Sequence, residues 1–247
     1  MKLMLITGAN GQLGSYLAHC YHKEGYQLAL LHHQRMDRIS ELVTQPGIWS
    51  RALDLQDYDA VSTAIDELNS EKGASPDVLI HTAAIRSFDA QPLVQTEPFV
   101  FRQVFEANSL ACYHILRGVL PYMQEKRRGR VVIMGSDVTH TGLKNGAAYA
   151  AAKSAMVSLA KSCAVEMAPY GVLINAISPG PVETVLEEDY KGDYLRFRQQ
   201  YFADFCNQVP TGMLVQMKEI KRTIDLLISD DICNLTGEEL MIRGGLK

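Results

Sequence analysis

Met4-Leu5-Ile6-Thr7-Gly8-Ala9-Asn10-Gly11-Gln12-Leu13-Gly14 is the stretch that decides the fold. An apolar run of strand type enters a turn holding three glycines, and a helical pattern follows over residues 13–24. A lone glycine triplet is weak evidence, but a strand before it and a helix after it form the context that a phosphate-binding turn requires. The glycines permit a tight turn and close backbone approach, and the unpaired amides at the helix start attract a pyrophosphate. Gly8, Asn10, Gly11, Gln12, Leu13 and Gly14 are therefore candidates for holding a dinucleotide. The competing reading is a strand-helix turn that needs only flexible residues.

Further apolar runs of strand length lie at 27–31, 48–53, 78–82, 131–135, 173–177 and 240–242. Several are nearly continuous rather than alternating, which suits strands covered on both faces of a parallel sheet. Helical periodicity fills the intervals at 58–72, 99–126, 149–168 and 218–229. The alternation predicts an α/β fold, a doubly wound three-layer α/β/α parallel sheet of Rossmann type with about seven strands. No repeat or linker divides the 247 residues, so residues 1–247 read as a single domain.

Composition narrows the function classes. Hydrophobic residues make up 47% and charged residues 21%, ordinary for a globular chain. The net charge is -4 and the one basic cluster, Lys126-Arg127-Arg128, is short, which argues against a nucleic-acid partner. No apolar stretch is long enough to span a bilayer, and the first strand leaves no room for a signal peptide. Five scattered cysteines without a Cys-x-x-Cys pair suit free thiols in a reducing cytoplasm. The histidines lack metal-ligand spacing, so no metal is expected.

After the second strand the chain reads His32-His33-Gln34-Arg35-Met36-Asp37-Arg38. Dinucleotide sites usually place a carboxylate there for the ribose 2′-hydroxyl. Here Arg35 precedes the first acid, and a guanidinium suits a 2′-phosphate. His33 and Arg35 become cofactor candidates, with NADP expected rather than NAD. The alternative is Asp37 on the ribose and NAD as cofactor.

Chemistry enters at Tyr149-Ala150-Ala151-Ala152-Lys153. Positions i and i+4 share a helix face, and the alanines favour the helix. A phenol beside a fixed ammonium is a proton donor whose pKa falls below its usual value of about 10. Ser136 stands thirteen residues upstream, at the end of an apolar run.

Read outward from Tyr149, Ala147-Ala148-Tyr149-Ala150-Ala151-Ala152-Lys153-Ser154-Ala155 resembles the active-site helix of the short-chain dehydrogenase/reductase family. Residues 166–180 are similar to that family's next helix, strand and nicotinamide loop. Leu235-Thr236-Gly237 and Gly244-Gly245 resemble its carboxyl-terminal signature. The resemblance covers nearly the whole chain. It implies Tyr149 as general acid/base, Lys153 lowering its pKa and holding the nicotinamide ribose, Ser136 bonding the substrate oxygen, and Asn108 organising a proton-relay water. It also implies cofactor contacts at Asp54, Leu55, Ala83, Ala84, Pro179, Gly180, Val182 and Thr184. The implied activity is hydride transfer between a nicotinamide and a carbonyl or secondary alcohol, with a 3-oxoacyl thioester as one candidate substrate. The implied assembly is a homotetramer or homodimer built on residues 99–126 and 149–168.

The chain departs from the single-domain branch of that family in two places. Two residues, not three, separate Gly8 from Gly11, and His81-Thr82-Ala83-Ala84 replaces the usual Asn-Asn-Ala-Gly. Both features look more like the extended branch of sugar-nucleotide epimerases and dehydratases, while the short stretch after Gly244-Gly245 opposes it. A non-catalytic NADP sensor is a further alternative, against which the joint presence of Ser136, Tyr149, Lys153 and Asn108 argues. His81 is expected to be structural. Residues 185–212 correspond to a substrate lid, with Tyr190, Tyr194, Phe197, Tyr201 and Phe205 at helical spacing and Phe202 beside them. That stripe either packs a helix on the body or walls the pocket with aromatic rings. Glu187, Glu188 and Asp189 lend no support to an anionic substrate, and Arg86, just after the fourth strand, either faces the pocket or, the preferred reading, makes a surface salt bridge.

Overall fold

The computed structural model describes residues 1–86 and 90–246. The strands are β1 (Leu3–Thr7), β2 (Gln27–His32), β3 (Ile48–Ala52), β4 (Val78–His81), β5 (Gly129–Met134), β6 (Val172–Pro179) and β7 (Glu239–Ile242). They form one parallel sheet in the order β3-β2-β1-β4-β5-β6-β7. The helices are α1 (Gln12–Lys23), α2 (Tyr58–Lys72), α3 (Pro98–Phe105), α4 (Ala111–Lys126), α5 (Val138–Thr141), α6 (Ala147–Met167), α7 (Leu186–Asp189), α8 (Gly192–Gln208) and α9 (Met217–Leu227). The winding reverses between β1 and β4, where Thr7 pairs with His81. In such sheets the crevice at the carboxyl ends of the strands at that switch point takes the ligand.

Strands β1, β2, β4, β5 and β6 feed two apolar layers. Leu5, Leu31, Leu79 and Ile133 cluster with Val61 of α2, Ile115 of α4 and Met156 of α6. Met4, Ile6, Leu30 and Ile80 cluster with Leu17 of α1 and with Ile220 and Ile224 of α9. Residues of both parities are thus buried, which is why the strands read as unbroken apolar runs. On α6 the buried face carries Ala148, Ala152, Ala160 and Ala164, small side chains that let the helix lie close to the sheet.

One helix is expected over 99–126, and here the structure differs. A π turn at Glu106–Leu110 separates α3 from α4. The Asn108 amide takes the Val104 carbonyl at 2.7 Å and the Ile85 carbonyl at 3.0 Å, and its oxygen accepts from the Ile85 amide at 3.2 Å. A side chain that captures a carbonyl one turn back competes with the helix ladder, and the extra residue is absorbed as a π bulge. The 185–212 segment forms α7 and α8, and α8 buries Arg198, Phe202 and Phe205. Among the described residues no helix is long and apolar enough to cross a membrane.

Candidate active site

The glycine turn closes against the end of β4. Gly8 has φ +64°, a left-handed conformation that favours glycine, and a Cβ there would lie 2.7 Å from the Ala83 Cα. A Cβ on Gly14 would stand 2.2 Å from the Gly8 carbonyl oxygen. The atypical His81-Thr82-Ala83-Ala84 run fits this turn: the Thr82 hydroxyl donates to the Thr7 carbonyl at 2.7 Å and backs both glycines. Gly11 supplies the N-cap of α1 with no side-chain cap, which leaves helix-start amides without an internal acceptor. A shaped backbone cradle with unpaired amides fits a dinucleotide pyrophosphate.

The turn is also tied to the segment after β6. Gln12 donates to the Val185 carbonyl and to Asp189, each at 2.8 Å, and accepts from the Val185 amide at 2.8 Å. Arg38 donates to the Asn10 carbonyl at 3.1 Å and reaches Glu188 and Asp189 at 2.8 Å. Glu188 and Asp189 are therefore engaged, and Glu187 accepts from Gln199 at 2.9 Å, so the acids that open the lid segment are not a free negative patch.

Ser136, Tyr149 and Lys153 line one cavity of about 400 Å³. Gly11, Gln12, Leu13, Gly14, Ala84, Pro179, Gly180, Val182 and Thr184 border the same space. Ser136 sits just past β5 and donates to Asp137 at 3.3 Å, a long bond that is easily re-aimed. Tyr149 and Lys153 are buried on one face of α6, and the Lys153 ammonium donates to the Met134 carbonyl at 2.7 Å. Burial alone would push the Tyr149 phenol up, but the cations Arg86, Lys153 and Arg198 together bring it below the usual tyrosine value. Burial likewise lowers the Lys153 pKa, partly offset by Tyr149.

Other expected residues stand elsewhere. Arg35 and Asp37, the rival ribose candidates, hold each other at 2.9 Å on the surface, and Asp37 also accepts from Asn10 at 3.1 Å. His33 is exposed at the same edge. Asp54 accepts from the Gln56 amide at 2.9 Å, and the Leu55 carbonyl meets the His114 ring at 2.9 Å. Both amide hydrogens of Asn108 are committed to backbone carbonyls.

Arg86 takes the less favoured of the two placements weighed for it, facing the pocket. Among the described residues it makes no salt bridge; its guanidinium carbon lies 4.5 Å over the Tyr149 ring and it lines the cavity. Arg198 joins it there, with Tyr190, Tyr201 and Phe202. The aromatic stripe thus does both things weighed for it, since Phe205 packs against Gly180 while Tyr190 and Tyr201 wall the pocket. Arg198 was missed in the sequence, where a charged residue among the aromatic positions of the stripe is the one faint signal of it.

His81 is fully buried, its Nδ1 2.9 Å from the Thr7 hydroxyl. Burial, and then the Lys153 charge, hold its pKa down at about 3. The unfolded chain binds a proton near the ordinary value of about 6.5, so between these limits stability falls as the pH falls. Urea unfolding at pH 7 and pH 5 is expected to differ by roughly 2 kcal/mol from this group, and the difference shrinks in His81→Asn. An unchanged slope in the variant counts against a neutral buried ring.

Fold and site together define a dinucleotide-dependent oxidoreductase. A family model described as Enoyl-(Acyl carrier protein) reductase matches residues 8–247, and the chain belongs to the short-chain dehydrogenase/reductase family. The chain is 28% identical over 243 residues to the 3-oxoacyl-[acyl-carrier-protein] reductase FabG of Buchnera aphidicola, covering 98% of this chain and 95% of that one. Its structure is similar to that of an NAD+-bound xylitol dehydrogenase, with a TM-score of 0.85, 28% identity and 99% and 98% of the two chains covered. It is likewise similar to ElxO with NADP bound, with a TM-score of 0.85, 26% identity and 98% and 97% covered.

Proposed function

We propose that this protein is an NADP-linked reductase of a small carbonyl compound, with Tyr149 as its proton donor. The observation that carries the reading is that Tyr149, Lys153, Ser136 and the glycine turn open into one cavity. The bound nicotinamide supplies the hydride. Ser136 and Tyr149 donate hydrogen bonds to the carbonyl oxygen as charge grows on it, and the Tyr149 phenol gives up its proton there. The Lys153 and Arg86 cations favour the phenolate that remains. Asn108 acts as a positioning residue, gripping the backbone that leads to Arg86. Gly8, Gly11 and Gly14 cradle the pyrophosphate, Asp54 and Leu55 meet the adenine end, and Ala83, Ala84, Pro179, Gly180, Val182 and Thr184 border the nicotinamide.

The reading takes residues 1–247 as one domain with 185–212 as its lid, in the cytoplasm, where its five free cysteines stay reduced. It assembles as a homodimer or homotetramer through α3, α4 and α6, where Phe99, Phe105, Leu110, Tyr113 and Val165 are exposed. NADPH oxidation over a panel of ketones, ketoses and 3-oxoacyl thioesters tests the activity; binding of NADPH without turnover of any member counts against it. For the cofactor, a 2′-phosphate takes Arg35 from Asp37, so Arg35→Ala is expected to raise the KM for NADPH about tenfold or more while NADH is little affected. Tighter binding of NAD than NADP by the unaltered protein overturns that preference.

A further inference from the structure

We propose that Arg86 and Arg198 form an anion-binding subsite in the substrate pocket, so that the carbonyl compound turned over there carries a carboxylate or a phosphate. The proposal rests on the reductase reading above and adds the class of its substrate.

Arg198 is the more demanding of the two. It is 3% exposed, on the buried side of α8, and lines the cavity that holds Ser136 and Tyr149. Its guanidinium carbon lies 4.8 Å from the Phe202 ring, 5.2 Å from Tyr201 and 5.8 Å from Tyr190. Its Nε is buried and has no hydrogen-bond partner. Arg86 lies over the Tyr149 ring. Among the described residues, no carboxylate forms an ion pair with either guanidinium.

Such an arrangement is costly without a ligand. A buried charge is normally paired and hydrogen-bonded, and ring faces attract a cation without accepting its N–H bonds in the plane of the fork. The strain on Arg198 is visible: burial, then the neighbouring Arg86 charge, bring its pKa down to about 10. Of the described acids on the neighbouring lid segment, Glu188 and Asp189 bind Arg38 instead. Among the described residues, Asp137 is a carboxylate that feels the Arg86 charge; burial raises its pKa, and it accepts the Ser136 hydroxyl. Against Asp137 and Asp189, the latter paired with Arg38, the cavity sets Arg86, Arg198 and Lys153, an excess of positive charge walled by tyrosines. Guanidinium forks bind carboxylate and phosphate oxygens in pairs, and a desolvated site strengthens those bonds. An anionic substituent on the substrate supplies the missing acceptor.

The rival explanation is that both cations serve only to acidify Tyr149. Matched substrates separate the two: acetoacetate against methyl acetoacetate, and dihydroxyacetone phosphate against dihydroxyacetone, each with NADPH. We expect kcat/KM to favour at least one anion over its neutral partner by about tenfold or more, and the preferred pair tells carboxylate from phosphate. Arg198→Met and, independently, Arg86→Met bring that ratio toward one, and Arg198→Lys restores part of it. If the cations only tune Tyr149, the variants move the pH profile of anion and neutral compound alike and leave the ratio unchanged, which overturns the proposal. A second readout needs no turnover: saturable binding of succinate or methyl phosphate to the NADPH-loaded protein, followed by NADPH fluorescence, lost in each folded Arg→Met variant. Turnover of the neutral compounds with neither anion preference nor anion binding refutes the subsite and leaves the reductase reading standing. Arginine-dependent anion binding with no turnover of any carbonyl supports the subsite and refutes the reductase reading.

Discussion

Tyr149→Phe is expected to lower kcat for carbonyl reduction about a thousandfold, with NADPH affinity within roughly threefold of the unaltered protein. The change removes one hydroxyl and keeps the ring, so the stacking with Arg86 and the packing of α6 survive. What is lost is the proton delivered in the transition state and one of two donors to the growing oxyanion. Ser136 and the bound cofactor remain, which is why the loss stops short of complete. The unaltered enzyme gives a companion result. Alcohol oxidation needs the phenolate, so its kcat/KM rises with pH and levels off below the usual tyrosine value, because Arg86, Lys153 and Arg198 outweigh the effect of burial. Arg86→Met moves that plateau to higher pH. Near-normal reduction by Tyr149→Phe on a substrate the unaltered protein turns over removes Tyr149 from the mechanism.

The other large effect belongs to the cofactor turn. Gly14→Val is expected to weaken NADPH binding by about a hundredfold or more and to lower the melting temperature, because the added Cβ meets the Gly8 carbonyl oxygen at 2.2 Å and the Thr82 hydroxyl at 3.0 Å. The first obstacle is backbone and cannot rotate away. Gly11→Ala offers a calibrated comparison, since its Cβ meets only the Gly8 oxygen, at 3.2 Å. We expect its effect on NADPH binding, read by fluorescence titration, to be smaller by at least about an order of magnitude. Equal effects at the two positions speak against steric exclusion as the reason for the motif.

The seven strands were legible because a sheet buried on both faces writes itself as apolar runs, and the observed bounds fall within two residues of those runs. The face shared by Tyr149 and Lys153 follows from helical spacing, which a helix spanning Ala147–Met167 preserves. The π turn was hidden, since an apolar period carries no mark of one captured carbonyl. Arg35 and Asp37 were weighed as rivals, yet two residues apart on one edge they became partners, a choice that depends on three-dimensional reach. Arg86 and Arg198 were least legible. Where a side chain after β4 or on α8 points depends on how the loop and the lid are laid over the sheet, and local spacing does not encode that path.

Asn108 joins distant parts of the molecule. It clasps both polar backbone atoms of Ile85, the residue immediately before Arg86. The aim of that guanidinium is therefore inherited from a bulge between α3 and α4 rather than from its own loop. In evolutionary terms, a drift in helix register there re-aims Arg86, and with it both a wall of the pocket and the charge beside Tyr149. A change between α3 and α4 thus reaches the proton-transfer pair on α6 without altering the sequence of that helix.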